Sequence, residues 1–321
     1  MKAALTLLTM LSVGLYTTNT LASPIPIVQQ QAPAYYRMML GDWQVTAVSD
    51  GTVKVPLDKL LTNISPDDLK RAMSKDALTP LAETSINAFV INTGSKIILV
   101  DTGAGSLMGD AGGHLLDNLK NAGFPPESIN IVLLTHIHGD HSGGVEYKGK
   151  PAFPNATVYV DQKDVDWWLN PKNINKVEDS QKHTFAESEK TMRPVINAGK
   201  LKTFHAPTVI IPGIQAIPAP GHTPGSVIYK ITNHSQSMML WGDIIHAKAV
   251  QMPDPDVAIH FDVDQQQAVK TRESVLKMIS ESGDWVAAAH ISFPGIGHVQ
   301  KEGNGYRWIP INYSYTATSK D

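Results

Sequence analysis

Apolar and polar residues alternate over residues 43–48 (Trp-Gln-Val-Thr-Ala-Val), the period of a strand with one buried face, and Asp50-Gly51 just beyond predicts a hairpin turn. Two further runs, 86–91 and 96–100, are joined by Thr93-Gly94-Ser95 and read as neighbouring strands, the second ending at Asp101-Thr102-Gly103. A helix is expected over 114–122. Residues 129–134 are then apolar almost without interruption, as in a strand covered on both faces. After a mostly helical stretch between Gln162 and Ala198, short strands are expected at 214–218, 226–232 and 238–241. Val269, Val275, Leu276 and Ile279 give 265–282 a helical stripe, and a last strand, 286–289, ends at His290.

This succession predicts a mixed α/β fold. No Pro/Gly/Ser-rich linker interrupts it, so one hydrolase-sized domain is expected over 42–321, behind a lead-in segment at 23–41 that is rich in Pro and Tyr. Histidines and aspartates stand just after apolar strands, where α/β sheets place their ligands.

Composition narrows the options. With 42% hydrophobic residues the chain can bury a large core, and a net charge of -3 leaves no basic excess for a phosphate backbone, so small molecules rather than nucleic acid are the expected partners. The start, Met1-Lys2 followed by an apolar stretch and Thr20-Leu21-Ala22, has the shape of a signal peptide over 1–22. An exported protein, periplasmic or secreted and without a membrane span in the mature chain, is therefore expected. Zero cysteines exclude disulfides, a lipidated cysteine and thiolate metal ligands.

The densest chemistry is His136-Ile137-His138-Gly139-Asp140-His141, three imidazoles and a carboxylate after a buried strand. In extended backbone His136 and His138 point the same way and can grip one ion, while a turn at Gly139 sends Asp140 and His141 toward a second. Imidazole with carboxylate suits zinc, and also manganese, iron or cobalt. Gly221-His222-Thr223-Pro224-Gly225, Trp241-Gly242-Asp243 and Ala289-His290 each place one more ligand-type side chain at a strand end. His222 and His290 gain weight only as parts of this set.

The order H-x-H-x-D-H, G-H-T-P-G, G-D and a strand-terminal His resembles the metallo-β-lactamase superfamily from Trp43 to His298. That resemblance implies a four-layer αββα sandwich. It also implies that His136, His138 and His222 hold one divalent metal ion, that Asp140, His141 and His290 hold a second, and that Asp243 bridges them. Asp101 fits the family's ligand-orienting aspartate, or a plain strand-end turn. Of the branches, the cysteine-containing lactamases are excluded by composition. Glyoxalase II enzymes carry a C-terminal helical domain for which the chain after His290 is too short.

Tyr35-Tyr36-Arg37-Met38-Met39-Leu40-Gly41-Asp42, Ser292-Phe293-Pro294-Gly295-Ile296-Gly297-His298 and Gly305-Tyr306-Arg307-Trp308 resemble methyl parathion hydrolases and their lactonase and arylesterase relatives, which are exported homodimers. At the pocket positions of that group stand Leu60, His246, Ile259 and Phe261, a set that resembles the enzymes opening lactones and aryl esters; Trp168 and Phe185 fit aromatic pocket positions or the core. The resemblance implies a hydroxide bridging the two metals that attacks the carbonyl. His246 is then expected to assist at the oxyanion or ring oxygen and Asp140 to carry a proton to the leaving group, with promiscuous phosphotriesterase activity. The alternatives are an organophosphate hydrolase proper and a non-catalytic binding module. His114, His183, His205, His234 and His260 read as surface or helix residues, and His298 as either a support for His290 or a structural residue.

Overall fold

The computed structural model describes residues 25–27, 31–32 and 34–316, so the signal peptide expected at 1–22 lies outside the described residues. The chain divides into two units, Met1–Ala32 and Pro33–Asp321. The described residues of the first have no regular secondary structure. Among the described residues no helix is long and apolar enough to cross a membrane.

The second unit contains two seven-stranded sheets, each built from one half of the chain. Strands Tyr35–Leu40, Trp43–Pro56, Leu81–Asn92, Ile97–Val100, Ile131–Leu133, Thr157–Asp161 and Leu201–Phe204 lie side by side in that order. Thr208–Ile211, Ile214–Pro218, Val227–Asn233, Gln236–Leu240, Trp285–Ala287, Ile296–Glu302 and Gly305–Pro310 form the other sheet.

Side-chain alternation sorts these strands into layers. Phe89, Ile91, Val100, Ile131 and Leu133 face Ile214, Tyr229, Ile231 and Leu240 between the sheets. Their neighbours Val90, Leu99, Val132 and Leu134 face outward, under Leu115, Leu119, Phe185, Met192 and Val195. On the far side, Ile228, Met239 and Val286 pack against Val275, Leu276 and Ile279 of the helix Gln265–Ser282. The result is helix, sheet, sheet, helix, the layering expected. It also explains the run at 129–134, whose central residues are covered alternately by the second sheet and by helices.

Local expectations fared unevenly. Asp50-Gly51 is not a turn: the strand Trp43–Pro56 continues through it, with a register shift between Ser49 and Gly51. Asp50 is buried and accepts backbone N–H groups from Ala104 (2.8 Å), Gly113 (2.9 Å) and Leu115 (2.9 Å), fixing the loop beyond Asp101. A Cβ on Gly51 would lie 2.2 Å from Ala111 O, so this close approach needs glycine. Six residues of the expected lead-in, Tyr35–Leu40, form an edge strand of the first sheet. The helical stretch resolves into Gln162–Trp168 and His183–Asn197, joined by 3₁₀ turns.

Candidate metal centre

The candidate ligands sit on loops that leave both sheets at one edge. His136 follows the strand Ile131–Leu133; His138 precedes the short helix Gly139–Ser142, whose first turn carries Asp140 and His141. From the other sheet come His222, between Ile214–Pro218 and Val227–Asn233, Asp243 after Gln236–Leu240, and His290 after Trp285–Ala287. Gly139 itself lies outside the left-handed region, so a turn is not what requires it. A Cβ there would meet the carboxylate of Glu187 at 2.8 Å.

These seven side chains converge. His222 Nε2 lies 3.2 Å from His136 Nε2 and 2.9 Å from His138 Nδ1. His290 Nε2 lies 3.3 Å from His141 Nε2 and 3.4 Å from Asp140 Oδ2. Asp243 faces both clusters, with Oδ2 3.2 Å from His222 Nε2 and Oδ1 2.9 Å from His141 Nε2. A tetrahedral ion with metal–nitrogen bonds of about 2.0–2.1 Å sets its nitrogens about 3.4 Å apart, so the spacing is that of ligands around shared cations. Asp243 Oδ1 is buried yet has no aligned hydrogen-bond donor, which leaves a full carboxylate lone pair for a metal. His136, His138, His222 and Asp243 form one group able to hold an ion; Asp140, His141 and His290 form a second.

The outward nitrogens of the rings are held in turn. Asp101 Oδ2 accepts from His141 Nδ1 at 2.9 Å, the contact of the orienting reading of Asp101, one of the two left open by the sequence. Asp262 Oδ1 pairs with His222 Nδ1 at 2.9 Å, Ser85 O with His290 Nδ1 at 2.9 Å, and Thr135 Oγ1 with His136 Nδ1 at 3.0 Å. Such partners fix ring orientation and tautomer. Asp164 accepts from Ile137 N (2.7 Å), Gly225 N (2.9 Å) and Thr223 Oγ1 (2.6 Å), tying the two histidine loops together. Burial pushes its carboxyl up to about 6.

Electrostatics splits the cluster. Burial, then the neighbouring His141, drives His136 far below the usual imidazole range, and burial with His222 does the same to His138, so both are neutral donors. At His222 burial also works downward, but Asp243 and Asp262 outweigh it and carry the ring up to about 9. Asp243 is held well below the carboxylate range, since the imidazoles of His141, His290 and His222 more than offset its burial.

A cavity of about 450 Å³ opens on this cluster. Leu60, His246 and Phe261 line it, as do Val55, Leu107, Met108 and Glu187. Three residues expected in the pocket are not in its wall. Ile259 is 0% exposed and packs with Leu57, Val250 and Val257, while Trp168 meets His138 edge-on at 5.1 Å and Phe185 edge-on at 5.0 Å, within the core. His183 and His260 are surface residues as read, the first on the helix His183–Asn197, and both also border the cavity; His260 Nδ1 lies 2.9 Å from Glu178 Oε2. His298 does not support His290 but lies against the Trp285 ring, tilted by 36° with centroids 3.9 Å apart. Sequence reasoning missed Asp164, Asp262, Ser85 and Glu187, for which neither spacing nor motif gave a signal.

A model of the metallo-β-lactamase superfamily matches residues 81–290. Among solved structures, the hydrolase AbOPH of the β-lactamase superfamily is 36% identical with a TM-score of 0.85, over 89% of this chain and 100% of the other. AidC, a dizinc quorum-quenching lactonase in complex with the product N-hexanoyl-L-homoserine, is 26% identical with a TM-score of 0.82, over 88% and 98%. The N-acyl homoserine lactonase AiiA of Bacillus thuringiensis subsp. kurstaki is 24% identical over 237 residues, 65% of this chain and 86% of its own. Against exodeoxyribonucleases of Streptococcus pneumoniae the match, 31% over 121 residues, spans only 38% of either chain.

Proposed function

Because the chain belongs to the metallo-β-lactamase superfamily, we propose that it is a dinuclear hydrolase that opens lactones and aryl esters, with phosphotriester hydrolysis as a secondary activity. The observation that carries the reading is Asp243, which offers one oxygen to each of two donor groups at the floor of a largely apolar cavity. Lactones are supported by the relatives: two that cover most of this chain's length or their own are lactonases.

His136, His138 and His222 would hold one divalent cation and Asp140, His141 and His290 the other, with Asp243 shared; zinc suits this set, and manganese, iron or cobalt are alternatives. When bound, such a pair supplies an acidified water as nucleophile and an electrophilic contact for the carbonyl oxygen. No side-chain nucleophile is then needed. Asp140, partly open to the cavity, takes a proton to the departing alkoxide or phenolate.

His246 donates through Nε2 to Asp243 Oδ2 at 3.0 Å, leaving Nδ1 buried without a partner. Burial pulls its pKa down, so the ring is neutral and Nδ1 is an acceptor. Donation to an oxyanion would require a second proton that burial opposes. His246 therefore acts by orienting Asp243 through Nε2, and with Leu60 and Phe261 it lines the cavity in which the acyl group would lie. Likeness to the methyl parathion hydrolase group, export and homodimerisation belong to the same proposal, supported by the motifs at both ends of the chain and by the apolar start.

The deciding experiment compares acyl-homoserine lactones, aromatic lactones, aryl esters and methyl parathion on one metal-loaded preparation. Lactone or aryl ester turnover above methyl parathion turnover is expected. The reverse order would make organophosphate hydrolysis the main activity. A metal-loaded protein inert toward the whole panel would make it a binding module.

A further inference from the structure

The helix Gln265–Ser282 buries Val275, Leu276 and Ile279 against the second sheet and Ala268 against the Gly221 loop, yet between them lies Arg272, 1% exposed. Withdrawing a guanidinium from water costs roughly several kcal/mol unless its donors and its charge are matched. The loops that carry the metal centre provide the match. Nε donates to Ile244 O at 2.8 Å, one residue beyond Asp243. Nη1 donates to Pro255 O (2.9 Å) and Val257 O (2.7 Å), and Nη2 lies 3.7 Å from Asp262 Oδ2.

All but the Pro255 contact lead to the site. Asp262 is fully buried, and its other oxygen pairs with His222 Nδ1. Val257 O also receives Gln251 Nε2 at 3.1 Å, and Gln251 Oε1 receives the backbone N–H groups of His246 (2.9 Å) and Ala247 (3.0 Å). One cation thus reaches the Asp243 loop through hydrogen bonds and His222 through charge.

We propose that Arg272 is a positioning residue that sets Asp243 and His222 against each other and so holds the two donor groups at the separation a pair of divalent cations requires. A purely structural arginine would serve the fold alone and leave metal binding intact. The inference rests on the dinuclear reading, and the experiment separates the two. Zinc-loaded protein is titrated with a chelator while retained metal is counted and unfolding is followed by circular dichroism. A wild type that never holds two ions overturns the dinuclear reading and this one with it; a two-ion wild type that its Arg272 variants match overturns this one alone.

For Arg272→Met, folded and cooperatively unfolding, loss of both ions at about 10-fold lower chelator than wild type is expected, whereas Asp262→Asn should weaken one ion only. A lowered melting temperature with wild-type metal retention overturns the proposal. Should Arg272→Met fail to fold, Arg272→Lys decides. It keeps a positive charge near Asp262 but lacks the fork that holds three carbonyls, so the Asp243 loop loosens and both ions should leave at lower chelator than in wild type, by less than in Arg272→Met. Both ions retained in that variant is the overturning result.

Discussion

Asp101 holds His141 Nδ1 at 2.9 Å from a backbone in the left-handed region, φ 58°, while its other oxygen accepts from Thr135 N at 2.8 Å. A carboxylate in so constrained a position fixes a ligand ring and the start of the histidine motif together. Asp101→Asn keeps the shape but replaces one acceptor with a donor. Its kcat/KM is expected to fall by about 10–100-fold, with weaker retention of one metal. Wild-type kinetics and metal content in Asp101→Asn would show that His141 needs no such support.

His246 offers a specificity test. Replacing it with leucine relieves Asp243 Oδ2 of one donor and makes that wall apolar, in a cavity whose other walls at Leu60 and Phe261 are apolar. His246→Leu should raise the ratio of phosphotriester to lactone kcat/KM. An unchanged or lowered ratio, measured on one preparation with both substrates, would remove His246 from the specificity argument.

The Gly221 backbone has φ +128°, and a Cβ there would lie 2.2 Å from Ala268 N at the start of the long helix. Gly221→Ala therefore forces the His222 loop away from the helix, at a cost of about 1–3 kcal/mol in stability. Chemical denaturation should show this loss, accompanied by earlier zinc release on chelation. A neutral substitution would mean that the loop can re-form elsewhere without disturbing His222.

In metal-free protein, burial lowers and Asp243 with Asp262 more strongly raises the His222 pKa, to about 9 against an ordinary 6.5. A raised imidazole contributes stability that is full below about pH 6.5 and is lost as pH rises through about 9. Metal must displace that proton, so its affinity grows across the same window. The melting temperature of chelator-treated protein should drop between pH 6.5 and 9, and that of zinc-loaded protein should not. Stripped protein that gains stability over this range would contradict the assignment.

The architecture was legible where burial imposes a period. Val132 and Leu134 face helices while Ile131 and Leu133 face the second sheet, so the strand that delivers His136 had to be apolar throughout. The convergence of the candidate side chains was legible because several imidazoles in a few residues have few other uses. Asp164 and Asp262 were not, since a lone carboxylate in a polar stretch carries no period, and its value arises only from the N–H groups that folding brings to it. Asp50-Gly51 misled because the same dipeptide suits a hairpin and a bulge, and the choice is made by Ala111 and Leu115 far along the chain. Trp168, Phe185 and Ile259 show the same limit: an apolar side chain near a site in sequence can face the cavity or back its wall.

Because the N-terminal sheet supplies His136, His138, Asp140 and His141 while the C-terminal sheet supplies His222, Asp243 and His290, neither half of the polypeptide owns a complete centre. A pair of cations bound there would act as a clasp across the seam of the sandwich. Cutting the chain near His205 would leave two fragments that recover zinc only by reassembling, which makes metal uptake a direct report on whether the two leaves of the molecule have closed.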